Sequence, residues 1–300
     1  MRITQRAVTQ TALLGLNTNL SAVTKLQQQL TSGKQISTAS DSPTGTNKAM
    51  LVRQDQNAAL QHSRNITDGQ GWLTETDSRL QSVVEHVHRV RALTIQGMNS
   101  GAVSAASREA IGIEVEELRK SMLNLANASI NGRPVFGGPT VESTAYDVET
   151  GAYTGAGGAD GVPVQAIMRR VSNSEEIRID VTGPEAFGAG DSDLFAIVGR
   201  IADNVVGDPA TLSVDLNALD GALDRLLGAT AAVGARAARM DAAAQLNSDL
   251  QLTLASQLVD IEDIDLAKTI MELNQTEVGY KAALQATAQV IQPTLLDFLR

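Results

Sequence analysis

Residues 73–93 read LTETDSRLQSVVEHVHRVRAL. Leu73, Leu80, Val83, Val87 and Val90 follow one another at steps of three and four, with Thr76 filling one step. An apolar repeat of 3.5 residues is a coiled-coil seam rather than a strand. No proline interrupts the chain between Thr44 and Arg133, and only Gly45, Gly69 and Gly71 punctuate Thr44 to Gly97. A helix over that span would be about 80 Å long at 1.5 Å per residue. Ser40-Asp41-Ser42-Pro43 is the turn that starts it. Asn99-Ser100-Gly101 ends it, and Ser104 or Ser107 can cap the next helix.

The same spacing recurs outward from this stretch. Leu13, Leu16, Leu20, Val23 and Leu30 carry it near the N-terminus, with Gln27 as the polar member. Ile111, Val115, Leu118, Met122 and Leu125 continue it, and Asn131-Gly132-Arg133-Pro134 closes that run. Leu212, Leu216, Leu219, Leu223, Leu226, Val233 and Met240 resume it, then Leu266, Ile270, Leu273, Tyr280, Leu284 and Ile291. The predicted fold is therefore mainly α, a long antiparallel helical bundle or coiled coil built from N- and C-terminal segments.

Between the helical halves the composition changes. Eleven of the 25 glycines and four of the seven prolines lie between Gly132 and Gly190. Five of the eight aromatic residues (Phe136, Tyr146, Tyr153, Phe187, Phe195) fall there or just beyond. Ile177, Ile179 and Val181 alternate with Arg178 and Asp180, the period of a half-buried strand. Residues 162–171 are a second strand candidate and 154–161 a flexible turn. The expected organisation is terminal helices at 1–43 and 260–300, a bundle at 44–134 and 192–259, and a small β-rich insert at 135–191.

Composition excludes several functions. The chain of 300 residues has no cysteine, so it has no disulfide framework, thiolate metal site or cysteine nucleophile. Its net charge of −10 argues against a general nucleic-acid binder. No apolar run exceeds the five residues from Leu194 to Val198, far short of the ~20 that cross a membrane. No secretory signal peptide is visible.

Candidate chemistry is sparse. His62, His86 and His88 have no zinc-binding spacing and read as solvent-exposed. Gly155, Gly157 and Gly158 lack the last glycine of a dinucleotide loop, where Asp160 stands. Ser32-Gly33-Lys34 lacks the first glycine of a Walker motif. The acidic run Asp260 to Asp265 reads as the start of the last helix, where negative charge suits the dipole. No catalytic, cofactor or metal site is expected.

The ends carry more information. Residues 1–40 contain no acid, and residues 260–300 hold seven acids against three bases. Oppositely charged, weakly apolar heptads suit pairing with each other or with further copies. The expected assembly interface is Leu13, Leu16, Leu20, Val23, Leu30, Leu266, Ile270, Leu273, Tyr280, Leu284, Ile291, Leu295 and Phe298.

These motifs carry a family likeness. Met1-Arg2-Ile3-Thr4, Gln29-Leu30-Thr31-Ser32-Gly33-Lys34-Gln35-Ile36 and Ser40-Asp41-Ser42-Pro43 stand at one end. Ile261-Glu262-Asp263-Ile264-Asp265, Tyr280-Lys281-Ala282-Ala283-Leu284 and Leu295-Leu296-Asp297-Phe298-Leu299 stand at the other. In this order they resemble the bacterial flagellar axial proteins of the flagellin superfamily, in the branch of the hook-filament junction proteins. Gln35, Ala39 and Ser42 depart from that pattern, where the family has Arg, Pro and Asp.

The resemblance implies a non-enzymatic structural subunit without a cofactor. It implies an extracellular place in the flagellum, reached by flagellar type III export without a cleaved signal. Implied partners are copies of itself, a neighbouring hook-associated protein, flagellin, and a cytoplasmic export chaperone at the C-terminal helix, with no nucleic acid and no membrane insertion. It also implies that the terminal helices stay disordered until assembly. The alternatives are flagellin itself, with the same fold, and a cytoplasmic helical scaffold or signalling protein.

Overall fold

The computed structural model describes residues 2–99, 104–140, 142–156 and 165–291. It is mainly α. Helices α1 (Arg2–Ser32), α2 (Pro43–Met98) and α3 (Ala105–Ala126) precede the insert. Helices α4 (Gly183–Phe187), α5 (Leu194–Val206), α6 (Leu212–Glu262) and α7 (Leu266–Ile291) follow or close it. Strands β1 (Ser129–Ile130) and β2 (Arg133–Pro134) form one antiparallel ladder, β3 (Met168–Arg170) and β4 (Glu176–Arg178) another. Residues 59–249 form one compact unit; residues 1–58 with 250–300 form the second.

The first unit holds the hydrophobic core, and the quoted heptad is its spine. Ile66, Gly69, Leu73, Thr76, Leu80, Val83, Val87, Val90, Thr94 and Gly97 are all buried, at alternating steps of three and four. Each fully buried Leu or Val contributes roughly 1.5–3 kcal/mol. The polar members are satisfied along the helix: Thr76 Oγ1 donates to Trp72 O and Thr94 Oγ1 to Val90 O. Helix α6 runs antiparallel to α2, as Gln70–Asp241 and Arg91–Asp220 hydrogen bonds show. Leu212, Leu219, Leu226, Val233 and Met240 face the core, one residue every seven. The intervening contact falls at Asp215 and Ala222, which are buried, while Leu216 and Leu223 are half-buried.

Local chemistry sets the ends. Ser42 Oγ accepts from Gly45 N at the start of α2. Ser104 Oγ accepts from Ser107 N at the start of α3. Helix α3 ends at Ala126, before Asn131-Gly132; those two residues, at φ 52° and 78°, instead make the tight turn joining β1 to β2. Asn127 then pins the insert: Oδ1 accepts from Ala145 N and Tyr146 N, and Nδ2 donates to Tyr146 O.

The five insert rings pack together. Tyr146 lies edge-on to Tyr153, Phe187 and Phe195 at centroid distances of 5.2, 5.8 and 4.9 Å. Phe136 meets Phe187 at 5.0 Å. Of the strand candidate at 162–171, residues 168–170 form β3, and 162–164 lie outside the described residues. Residues 157–161 of the expected glycine-rich turn lie outside them too.

Two expectations, on the strand alternation and on the histidines, do not hold in the structure. Ile177, Ile179 and Val181 are buried, but so is Asp180, on the side assigned to solvent. Its carboxylate accepts from Ile167 N and Arg178 Nε, so the charge is paired where the sheet has already ended. The histidines are not all exposed. His62 is buried, with Nε2 3.2 Å from Asn173 Oδ1. His86 is half-buried against Ser121 Oγ, and only His88 is exposed. A helix as long as α2 presents every face, and α3 and the β3–β4 turn cover two of them.

Candidate functional site

The second unit has almost no core. Its buried apolar side chains among the described residues are Val23, Ala49 and Leu254. Helices α1 and α7 nevertheless pack along one another. On α1 the inward line is Thr9, Ala12, Leu16, Asn19, Val23, Leu26 and Leu30, of which Val23 is buried and the rest half-buried. On α7 it is Thr269, Leu273, Thr276, Tyr280, Ala283 and Thr287. Both lines keep the 3.5 repeat, but polar and small residues hold about half of each, which makes a weak seam.

The predicted interface residues divide between this seam and solvent. Leu16, Val23 and Leu30 of α1 and Leu273 and Tyr280 of α7 lie in it. Leu13, Leu20, Leu266, Ile270 and Leu284 point outward, 43–58% exposed. Leu14, Met271 and Val278 join them, at 62%, 69% and 67%. The side chain of Ile291, and Leu295 and Phe298, lie outside the described residues. The α1–α7 pair therefore has an inner seam and an outer apolar surface, and the sequence repeat merged the two.

The loops that join this pair meet in a clasp. Gly33, at φ 70°, turns the chain after α1. Lys34 then pairs with Asp263 as an antiparallel bridge. Gln35 N donates to Glu262 O at 2.6 Å, and Ile264 N to Gly33 O at 3.1 Å. The Glu262 side chain is 4% exposed. It accepts from Lys34 Nζ at 2.7 Å and from Arg53 Nη2 of α2 at 2.7 Å. The acidic run is thus divided: Glu262 is a buried anchor, and Asp265 caps α7 by accepting from Lys268 N. The run does not serve the helix start as a whole, because Glu262 ends α6 and turns inward. The signal was present in its apolar neighbours Ile261 and Ile264.

Beside the clasp, Leu20, Thr24, Lys25 and Gln28 of α1 face Ser37, Thr38 and Asp41 across a groove of about 430 Å³. The Lys25 ammonium, 2.9 Å away, and the backbone N–H groups of Thr38 and Ser37 hold the Asp41 carboxyl well below its usual range. Among the described residues, no three metal-ligating side chains converge. No helix there is long and apolar enough to cross a membrane.

This geometry defines a helical subunit whose two chain ends pair with each other and leave apolar surface outside the pair. The chain belongs to the flagellin family. The bacterial flagellin N-terminal helical region matches residues 3–140, and the C-terminal helical region matches 216–299. The flagellar hook-associated protein 3 of Escherichia coli is 24% identical over 94% of this chain and 96% of its own. The flagellin of Bacillus subtilis is 26% identical over the full length of both. The crystal structure of hook-associated protein 3 from Legionella pneumophila aligns with a TM-score of 0.61 at 16% identity, covering 71% of this chain and 98% of that one. Family membership places the chain among the structural components of the flagellum that serve motility.

Proposed function

We propose that this chain is the subunit that joins the hook-associated ring to the flagellin filament. It is exported unfolded through the flagellar type III channel and assembles outside the cell by packing its terminal segments, 1–43 and 260–300. Its partners are further copies, a neighbouring hook-associated protein and flagellin, with an export chaperone holding the C-terminal helix beforehand. It is not an enzyme. The observation that carries this reading is the outward stripe of Leu13, Leu20, Leu266, Ile270 and Leu284 on a unit that buries so little apolar surface of its own. Neighbouring subunits supply the missing burial, and the ends order as they do so. A chain without disulfides suits threading through a pore.

The second reading is flagellin itself, which the Bacillus subtilis relative supports. Deleting the gene and imaging the cells separates the two. Intact hooks with filament protein lost to the medium support the junction role. Hooks bearing normal filaments overturn it. In the free chain, α1 and α7 amides should exchange within seconds; protection equal to that of α2 would contradict assembly-driven ordering.

A further inference from the structure

We propose that Glu262 is the positioning residue that makes the two chain ends order together and in a single register. The inference deepens the assembly reading, and rests on it only in taking the α1–α7 pair as the assembling element.

The argument starts from what the seam cannot do. Thr9, Ala12 and Asn19 on α1, and Thr269, Thr276, Ala283 and Thr287 on α7, occupy positions where Leu or Ile would fasten a coiled coil. Two such helices can slide past one another by a heptad, about 10 Å, with little change in buried area. Something outside the seam must choose the register.

The clasp does so where α1 ends and α7 begins. Lys34 stands two residues beyond the end of α1, and Glu262 four residues before the start of α7. The bridge at 33–35 and 262–264 fixes the main chains directly. Glu262 adds the condition that this bridge be closed. It is buried, whereas Lys34 and Arg53 keep about half of their side chains in water. Opening the loop after α1 leaves the carboxylate without its lysine in a site it cannot easily leave, and that is costly. The two cations can return to water at small cost. The anion is therefore the coupled member, since it contacts the N-terminal loop and α2 at once. Glu262 is the last residue of α6, so its side chain holds Lys34, and Lys34 in turn holds the bridge to Asp263 and Ile264 from which α7 starts. If α1 leaves, the bridge opens beneath α7, and if α7 pulls that bridge apart, Lys34 loses its fixed place beside Glu262. Helix α1 does not keep its last turn, nor α7 its first, without the other.

The test is millisecond hydrogen exchange on the full-length free chain, read separately for α1, α7 and the 59–249 unit. Wild type is expected to show protection in α1 and α7 above random coil and far below α2. Glu262→Gln, which keeps the shape and removes the charge, should lower both helices together by about tenfold and leave 59–249 unchanged. Lys34→Met with Arg53→Met should do the same. Glu272→Gln, which removes only an exposed α7 charge, should change α7 slightly and α1 not at all. A loss confined to one helix overturns the proposal, as does no loss in Glu262→Gln or no protection in wild type. None of these outcomes affects the assembly reading, which the deletion phenotype decides separately.

Discussion

Gly112 of α3 lies against the backbone carbonyl of Ala202 in α5: a Cβ at Gly112 would stand 3.0 Å from that oxygen and 3.1 Å from Val206 Cγ2. These two helices pack closely because this position has no side chain. Backbone cannot rotate aside as a side chain can. Gly112→Ala should therefore separate the helices and destabilise by about 1–3 kcal/mol, despite a gain of up to ~1 kcal/mol in helix propensity. Gly221→Ala in α6, where nothing lies within 4 Å, should show the gain alone. Urea unfolding of the two variants measures the difference, and equal midpoints would refute the packing argument.

The two units should respond oppositely to leucine substitution. Leu80 is fully buried in the α2 seam, so Leu80→Ala should cost about 2–5 kcal/mol in urea unfolding. Leu13 and Leu284 are 50% and 43% exposed, so Leu13→Ser and Leu284→Ser should change the free chain by less than about 0.5 kcal/mol. The same pair should abolish sedimentable assembly. Retained assembly with both substitutions would show that the outward stripe is not the interface.

Alkaline stability should depend on the insert rings. Burial pushes the Tyr146 phenol well above the ordinary value of 10.0, and burial likewise pushes Tyr153 up to about 12. The stability from keeping these rings neutral is fully present below pH 10. It is lost as the unfolded chain ionises above that pH and is gone once the folded phenols also titrate. Tyr146 alone should contribute a fall of about 1.4 kcal/mol per pH unit above 10. The Tyr146 hydroxyl is buried without a hydrogen-bond partner. Tyr146→Phe should thus leave stability at pH 7 within about 1 kcal/mol of wild type and flatten the alkaline slope. Identical slopes in urea titrations at pH 9.5 and 11 would contradict this.

Much of the architecture was legible in the chain itself. The 73–93 repeat yields α2 because every member from Ile66 to Gly97 must face the same side of a 3.6-residue helix. The ring cluster could be located by counting. The Asn-Gly turn was visible too, but as a helix terminator rather than a hairpin, since composition marks a break without saying what the chain does there. Asp180 and His62 were misplaced because a single-sequence period describes one element, and their burial comes from others.

The chain ends show most clearly where sequence stops. A 3.5-residue repeat determined that α1 and α7 are amphipathic and that each can pair. It could not separate the seam positions Asn19 and Leu26 from the outward Leu20, because a stripe of apolar residues has no label for the neighbour it meets. Which residues face inward was decided only when the loops at 33–35 and 262–264 met and Glu262 was buried between Lys34 and Arg53. The physical reason is range: helical periodicity acts over a few residues, whereas a buried carboxylate 228 residues from its lysine is paired only by the folded chain.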